Sequence, residues 1–93
     1  MSNTSVANNP EASRYEISVN DALAGFADYV DRGEVLVIPH TEVFEGFEGQ
    51  GLAAILVTGM LEDVRAYGRV IRPDCPFVAS FLDKHPSYQD LIA

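Results

Sequence analysis

The chain has 93 residues, which is enough for one small domain near the lower limit of chains that fold without disulfides or metals. Its 47% hydrophobic content excludes a disordered chain, and no apolar run approaches the ~20 residues that a membrane-spanning helix needs. Six basic and fourteen acidic residues give a net charge of −8, which argues against nucleic-acid binding and favours the approach of a cationic substrate.

The N-terminal third predicts a leader followed by β-strands. Residues 1–12 have neither a basic start nor an apolar stretch, so we expect a disordered leader and a single domain over residues 13–93. Apolar residues alternate with polar ones over residues 14–19, which is typical of a half-buried strand. After a turn at Asn20-Asp21, strand character resumes over residues 23–30.

A third strand follows the turn at residues 31–34. Its apolar run over residues 35–38 suits a central strand, which continues to Val43. Pro39 has no N–H to donate, so a bulge or a lost pairing is expected there. The three strands are predicted to form an antiparallel meander.

Residues 44–51 form a glycine-rich loop, after which apolar residues recur at helical spacing from Leu52 to Tyr67. Gly68 is a typical residue just beyond a helix end. Because the loop leads directly into this helix, its backbone N–H groups and the helix dipole could bind an anion without a basic side chain. The alternative is that the glycines only make a tight connection. The loop matches neither the Walker A nor the dinucleotide-binding pattern.

The C-terminal part predicts a short strand over residues 69–72, a helix from Pro76 to about His85, and a last helical turn within residues 87–92. A strand–helix–strand crossover would place the last strand parallel to the third. The predicted fold class is therefore mixed α/β (α+β), with a mostly antiparallel sheet flanked by two helices.

Four motifs in this order and spacing resemble the small GNAT-like N-acetyltransferase family. They are His40-Thr-Glu-Val43, Phe47-Glu-Gly-Gln-Gly-Leu-Ala53, Cys75-Pro-Phe-Val78 and His85-Pro-Ser-Tyr88. The resemblance extends over about residues 14–91 and implies a minimal domain that binds acetyl-CoA. The superfamily's pyrophosphate loop begins with Arg or Gln, and this chain has Glu48 at that position.

The resemblance implies that the third strand and the start of the following helix hold the pantetheine and phosphates of CoA. One ring of the last helix, that of Phe81, could flank the pantetheine arm or simply belong to the core. The predicted cofactor-binding residues are Thr41, Val43, Phe47, Glu48, Gly49, Gln50, Gly51, Leu52, Ala53 and Phe81.

Three residues are candidates for chemistry. Cys75 precedes a helix start, where the dipole could lower its pKa, and in this family it is a candidate nucleophile; the alternative is a small buried hydrophobic residue. His40 and Glu42 are two apart on a strand and should share one face, with His40 as a proton acceptor and Glu42 orienting it or attracting a cation. His40 could instead be structural. Two distant histidines and one cysteine predict no metal site.

The predicted function is N-acetyltransfer from acetyl-CoA to a small-molecule or protein amine. The alternative is a non-catalytic module that binds CoA or acyl-CoA and acts through a protein partner. Because the chain has a single cysteine, it can form no intramolecular disulfide, which fits the cytoplasm. Neither a nucleic acid nor a membrane is expected as a partner, and the chain is expected to be a monomer or a weak homodimer.

Overall fold

The computed structural model describes residues 3–93, which form a five-stranded sheet with helices on one face. The strands lie in chain order, and all neighbours are antiparallel except the last pair, β4 and β5, which are parallel. The elements are β1 (Thr4–Asn9), β2 (Arg14–Val19), β3 (Ala22–Asp31), β4 (Val35–Val43), α1 (Leu52–Ala66), β5 (Val70–Arg72), α2 (Pro76–Lys84) and a 3-10 helix (Pro86–Leu91).

The N-terminal segment is a strand, so the prediction of a disordered leader over residues 1–12 is wrong for its described part. β1 pairs along its whole length with β2, from Thr4 opposite Val19 to Asn9 opposite Arg14. The Tyr29 hydroxyl donates a hydrogen bond to Asn8, and Val6 packs against the core. Residues 1 and 2 lie outside the described residues.

β4 is bulged at the predicted position. Asp28 lies opposite His40 and Val30 opposite Val37, so Tyr29 of β3 faces both Ile38 and Pro39. β5 ends at Arg72, which pairs with Val37. Beyond that point the Cys75 N–H donates to the Ile38 carbonyl at 2.8 Å, and no described strand covers the edge of β4 from Pro39 to Val43. The bulge and the end of β5 therefore leave an open edge on β4.

The core lies between one face of the sheet and the helices. α1 has an apolar stripe and contributes its buried side chains, Leu52, Leu56, Val57, Met60, Leu61 and Val64. α2 adds Val78, Phe81 and Leu82 to the same cluster. The 3-10 helix lies against α1, since Arg65 hydrogen-bonds to Asp90 and to the Ser87 carbonyl. The opposite face of the sheet is covered by neither helix.

The confirmed predictions are the mixed α/β fold, the antiparallel meander and the parallel last strand. Cys75 is the only cysteine of the chain, and its side chain is buried. Within residues 3–93, no helix combines the length and the apolar character that crossing a membrane would require.

Candidate functional site

The loop between β4 and α1 owes its shape to glycines in the left-handed region. Gly46, Gly49 and Gly51 have φ values of 95°, 79° and 70°, which other residues rarely adopt. Gly51 is the N-cap of α1, and no side chain caps that end of the helix. A Cβ built on Gly49 or Gly51 would meet nothing within 4 Å, so the space beside the loop is open.

The first turn of α1 has backbone N–H groups that no protein acceptor among the described residues satisfies. Within residues 3–93, the four N–H groups from Gly51 to Ala54 donate to no protein acceptor, and the first bond of the helix is that of Ile55 to the Gly51 carbonyl at 3.3 Å. Free N–H groups at a helix start carry partial positive charge, so they can bind an anion such as phosphate. The residues present therefore fit a pyrophosphate through their backbone, although no basic side chain lies in the loop.

The predicted cofactor residues divide into backbone and packing roles. Val43 and Phe47 are partly buried and pack against the core, so Phe47 fixes the loop to the rest of the domain. The Leu52 side chain is buried, so only its N–H faces the loop, whereas Ala53 is half-buried. Phe81 is buried and stacks on His85, with ring centroids 3.9 Å apart, so Phe81 belongs to the core. The exposed members of the set are Glu48, Gly49, Gln50 and Gly51.

Cys75 is the N-cap of α2 and lies against β4. Its Sγ is 3.5 Å from the Thr41 hydroxyl oxygen, a contact that the sequence did not predict. Burial raises the pKa of the Cys75 thiol, but hydrogen bonds from the Thr41 hydroxyl and from the Val78 and Phe77 backbone N–H groups lower it, and the net pKa is below the ordinary thiol value. Such a thiol forms a thiolate more readily than a free cysteine does.

His40 and Glu42 share one face of β4, as their spacing predicts. The His40 Nε2 is 3.2 Å from the Glu42 Oε1, and both side chains are about half exposed, at 55% and 47%. The Phe26 ring lies beside them, with its centroid 5.9 Å from His40 and 5.8 Å from Phe44. The sequence did not predict Phe26 as a neighbour of the pair.

The structure does not bring Cys75 together with the His40–Glu42 pair. Thr41 faces the helices, because its partner on β3 is the fully buried Ala27, and Cys75 contacts Thr41 on that side. Successive side chains of a strand point to opposite faces, so His40 and Glu42 face the uncovered side. The open edge of β4 lies between the two groups.

His85 and Arg72 have structural partners. The His85 Nδ1 donates to the Phe81 carbonyl at 2.7 Å, at the end of α2. Arg72, the last residue of β5, is bound to Asp74 through two of its nitrogens. Among residues 3–93 no group of three or more histidine, cysteine or carboxylate side chains is placed to hold a metal ion.

The chain is thus a small mixed α/β domain in which a glycine loop leads into a helix, and in which β4 extends beyond the end of its parallel neighbour β5. A family model described as GCN5-related N-acetyl-transferase matches residues 14–91. The chain belongs to the GCN5-related N-acetyltransferase family. No curated protein matches the sequence significantly.

Solved structures agree with this assignment. A GCN5-like candidate N-acetyltransferase from Staphylococcus aureus, solved by NMR, is 25% identical, with a TM-score of 0.73, and the match covers 100% of this chain and 91% of that one. Ard1 from Thermoplasma volcanium has a TM-score of 0.59 at 20% identity and shows the fold alone; the match covers 78% of this chain and 53% of Ard1. The resemblance to a small GNAT-like family is therefore confirmed.

Proposed function

We propose that the protein is an N-acetyltransferase that uses acetyl-CoA as the donor and an amine as the acceptor. The observation that carries the proposal is the run of free N–H groups from Gly51 to Ala54 at the start of α1, in a chain of this family. These groups would hold the pyrophosphate of CoA, and the open edge of β4 from Pro39 to Val43 would hold its pantetheine arm.

In the transfer, the amine nitrogen forms a bond to the acetyl carbon and the carbon–sulfur bond breaks. The attacking amine must be neutral, and His40 on β4 would accept its proton. Glu42 contacts His40 and would orient the ring or hold its charge after protonation. The CoA thiolate leaves and takes up a proton, which compensates for the proton that the amine loses.

Cys75 offers a second route. Its thiolate would attack the acetyl carbon, the bond to the CoA sulfur would break and the CoA thiolate would leave. The amine would then attack the same carbon, and the bond to the Cys75 sulfur would break and restore the thiolate. The lowered pKa of Cys75 and its place at the start of α2 support this role. Its burial supports the alternative role of a packing residue.

A non-catalytic CoA-binding module is the second candidate. Glu48 in place of Arg or Gln, and the separation of Cys75 from His40 by β4, favour it. Such a module would bind CoA and release no product with any amine. In either case we propose a cytoplasmic protein, because a free thiol fits a reducing compartment. We also propose that it is a monomer or a weak homodimer.

The test is a titration with CoA and acetyl-CoA followed by backbone amide NMR, with Gly51→Val as the perturbing variant. We expect shifts at Val43 and residues 47–54 in the natural protein and loss of binding in Gly51→Val, because a side chain there fills the open space and drives the loop away from positive φ. Gly33→Val is the matched control, since Gly33 has a φ of 85° and an equally free Cβ position in the β3–β4 turn.

Gly33→Val should bind CoA like the natural protein. Equal affinity of Gly51→Val would remove the phosphate-loop assignment. If neither ligand shifts any amide at millimolar concentration, the enzyme proposal is withdrawn. Product formation with an amine panel then separates the enzyme from the binding module.

A further inference from the structure

A cleft of about 330 Å³ opens between β1 and the C-terminal half of α1. Its lining includes Asn8, Tyr15, Gly59, Asp63, Tyr67 and Arg69. The volume is at the lower end of the range of small-molecule sites, roughly 300–1,000 Å³. Asp63 lies roughly 18 Å along the helix from the Gly51 end, at 1.5 Å per residue, so the cleft is separate from the glycine loop.

Asp63 supplies the cleft with a carboxylate that has no cationic partner. The Tyr15 hydroxyl donates to its Oδ2 at 2.5 Å, while within residues 3–93 its Oδ1 accepts no side-chain hydrogen bond and no ion pair includes Asp63. Burial and this bond raise the pKa of the Tyr15 hydroxyl, so it stays protonated and remains a donor. Tyr15 thus holds one carboxylate oxygen of Asp63, and the other oxygen is left without a side-chain donor among the described residues.

Arg69, at the other side of the cleft, is already neutralised. Its Nη2 is 2.5 Å from Asp31 Oδ1, and its Nε donates to the Gly33 carbonyl at 2.9 Å. The unmatched charge among the residues of the cleft is therefore that of Asp63. A positively charged ligand fits this balance better than an anion or a neutral molecule.

The walls supply apolar and aromatic surface. The Tyr67 side chain is 74% exposed. No other large hydrophobic residue within residues 3–93 is as exposed. Tyr15, Val6 and Val64 provide further aromatic and aliphatic contacts. An aromatic ring beside a carboxylate is the combination that binds organic cations, because the ring face carries negative partial charge.

We propose that this cleft is a second ligand site, which binds a small organic cation: a primary ammonium group on a short apolar body. The ammonium would donate to the free oxygen of Asp63, and the body would lie against Tyr67. Val6, Ala7 and Asn8 precede the family match over residues 14–91, so part of the site lies in sequence that the family model does not cover.

The probe is n-butylammonium, titrated in the absence of CoA and followed by amide NMR, with 1-butanol as the neutral comparator. Shifts should centre on Asn8, Gly59, Asp63 and Tyr67, and butanol should bind at least several-fold more weakly. Asp63→Asn should lower the affinity about tenfold, because it replaces a charged acceptor by a neutral one while still accepting from Tyr15. Asp83→Asn, on the exposed side of α2, removes the same charge elsewhere and should leave the affinity unchanged.

A second variant keeps the test valid if Asp63→Asn disturbs the fold. Tyr67→Ala alters an exposed side chain and should weaken binding about twofold to fivefold through the lost ring contact, while Tyr67→Phe should bind as before. Equal binding of butanol and butylammonium would overturn the proposal, and so would shifts centred on Phe26, His40 and Glu42. The outcome does not depend on whether the loop binds CoA.

Discussion

Gly25→Ala tests whether β3 and β4 are in contact as closely as the structure shows. A Cβ on Gly25 would overlap the Glu42 carbonyl oxygen and lie 3.1 Å from the Val43 Cα. Both neighbours are backbone atoms, so no rotamer change can relieve the overlap and β4 itself must move. The same segment forms the open edge proposed for pantetheine, so the substitution affects stability and binding together.

The expected cost follows from two opposing effects. Overpacking a well-packed site costs about 1–3 kcal/mol, and a backbone clash belongs at the upper end of that range. Replacing glycine by alanine returns about 0.5–1 kcal/mol of chain entropy. We therefore expect a loss of about 2 kcal/mol in the free energy of unfolding, which corresponds to a Tm lower by roughly 8–16 °C for a domain of this size.

Gly59→Ala is the matched control, because its new Cβ would meet the Val6 side chain at 2.9 Å on the edge strand β1. An edge strand and a side chain can adjust, and alanine gains about 1 kcal/mol of helix propensity, so the net change should be within about 1 kcal/mol. Urea unfolding followed by circular dichroism measures both variants. If Gly25→Ala is as stable as the natural protein, or Gly59→Ala is the less stable of the two, the close approach of β3 and β4 is wrong.

Two further predictions concern Cys75. If the sulfur carries the acetyl group, the intact mass of the denatured protein increases by one acetyl group after incubation with acetyl-CoA, and the mass of Cys75→Ala does not change. Acetylation of Cys75→Ala, or no modification of the natural protein, excludes the covalent route. Because the pKa of the folded thiol is lowered, its alkylation by iodoacetamide should reach half its maximal rate at a pH below the ordinary thiol value. Thr41→Val should move this midpoint to higher pH and Thr41→Ser should not; an unchanged midpoint in Thr41→Val would refute the contribution of the Thr41 hydroxyl.

The elements with a strong local pattern could be predicted from the sequence. The alternation in residues 14–19 predicts β2 with the bounds that the structure has, and the helical spacing from Leu52 predicts α1 to within a residue. Pro39 predicts the bulge, because the missing N–H is a property of the residue itself. The i, i+2 spacing predicts the contact of His40 with Glu42 for the same kind of local reason.

β1 could not be predicted, because its pairing is not a local property. The segment Thr4–Asn9 contains one large apolar residue, Val6, and owes its place to hydrogen bonds with β2 and to a contact with Gly59 on α1. The cleft depends on β1 and on the bond between Tyr15 and Asp63, which are 48 residues apart. The contact of Cys75 with Thr41 spans 34 residues and depends on where β5 stops pairing with β4.

The two routes of acetyl transfer require the acceptor amine on different faces of β4. Side chains at Thr41 and at its neighbours point to opposite faces, so Cys75 is reached from the helix side and His40 from the uncovered side. Direct transfer requires an amine beside His40 and Glu42, on the uncovered face with Phe26. The covalent route requires the amine on the side of Cys75, where α2 and the core leave a buried thiol. The acetyl label on Cys75 therefore reports the route and also the face of β4 that the acceptor uses.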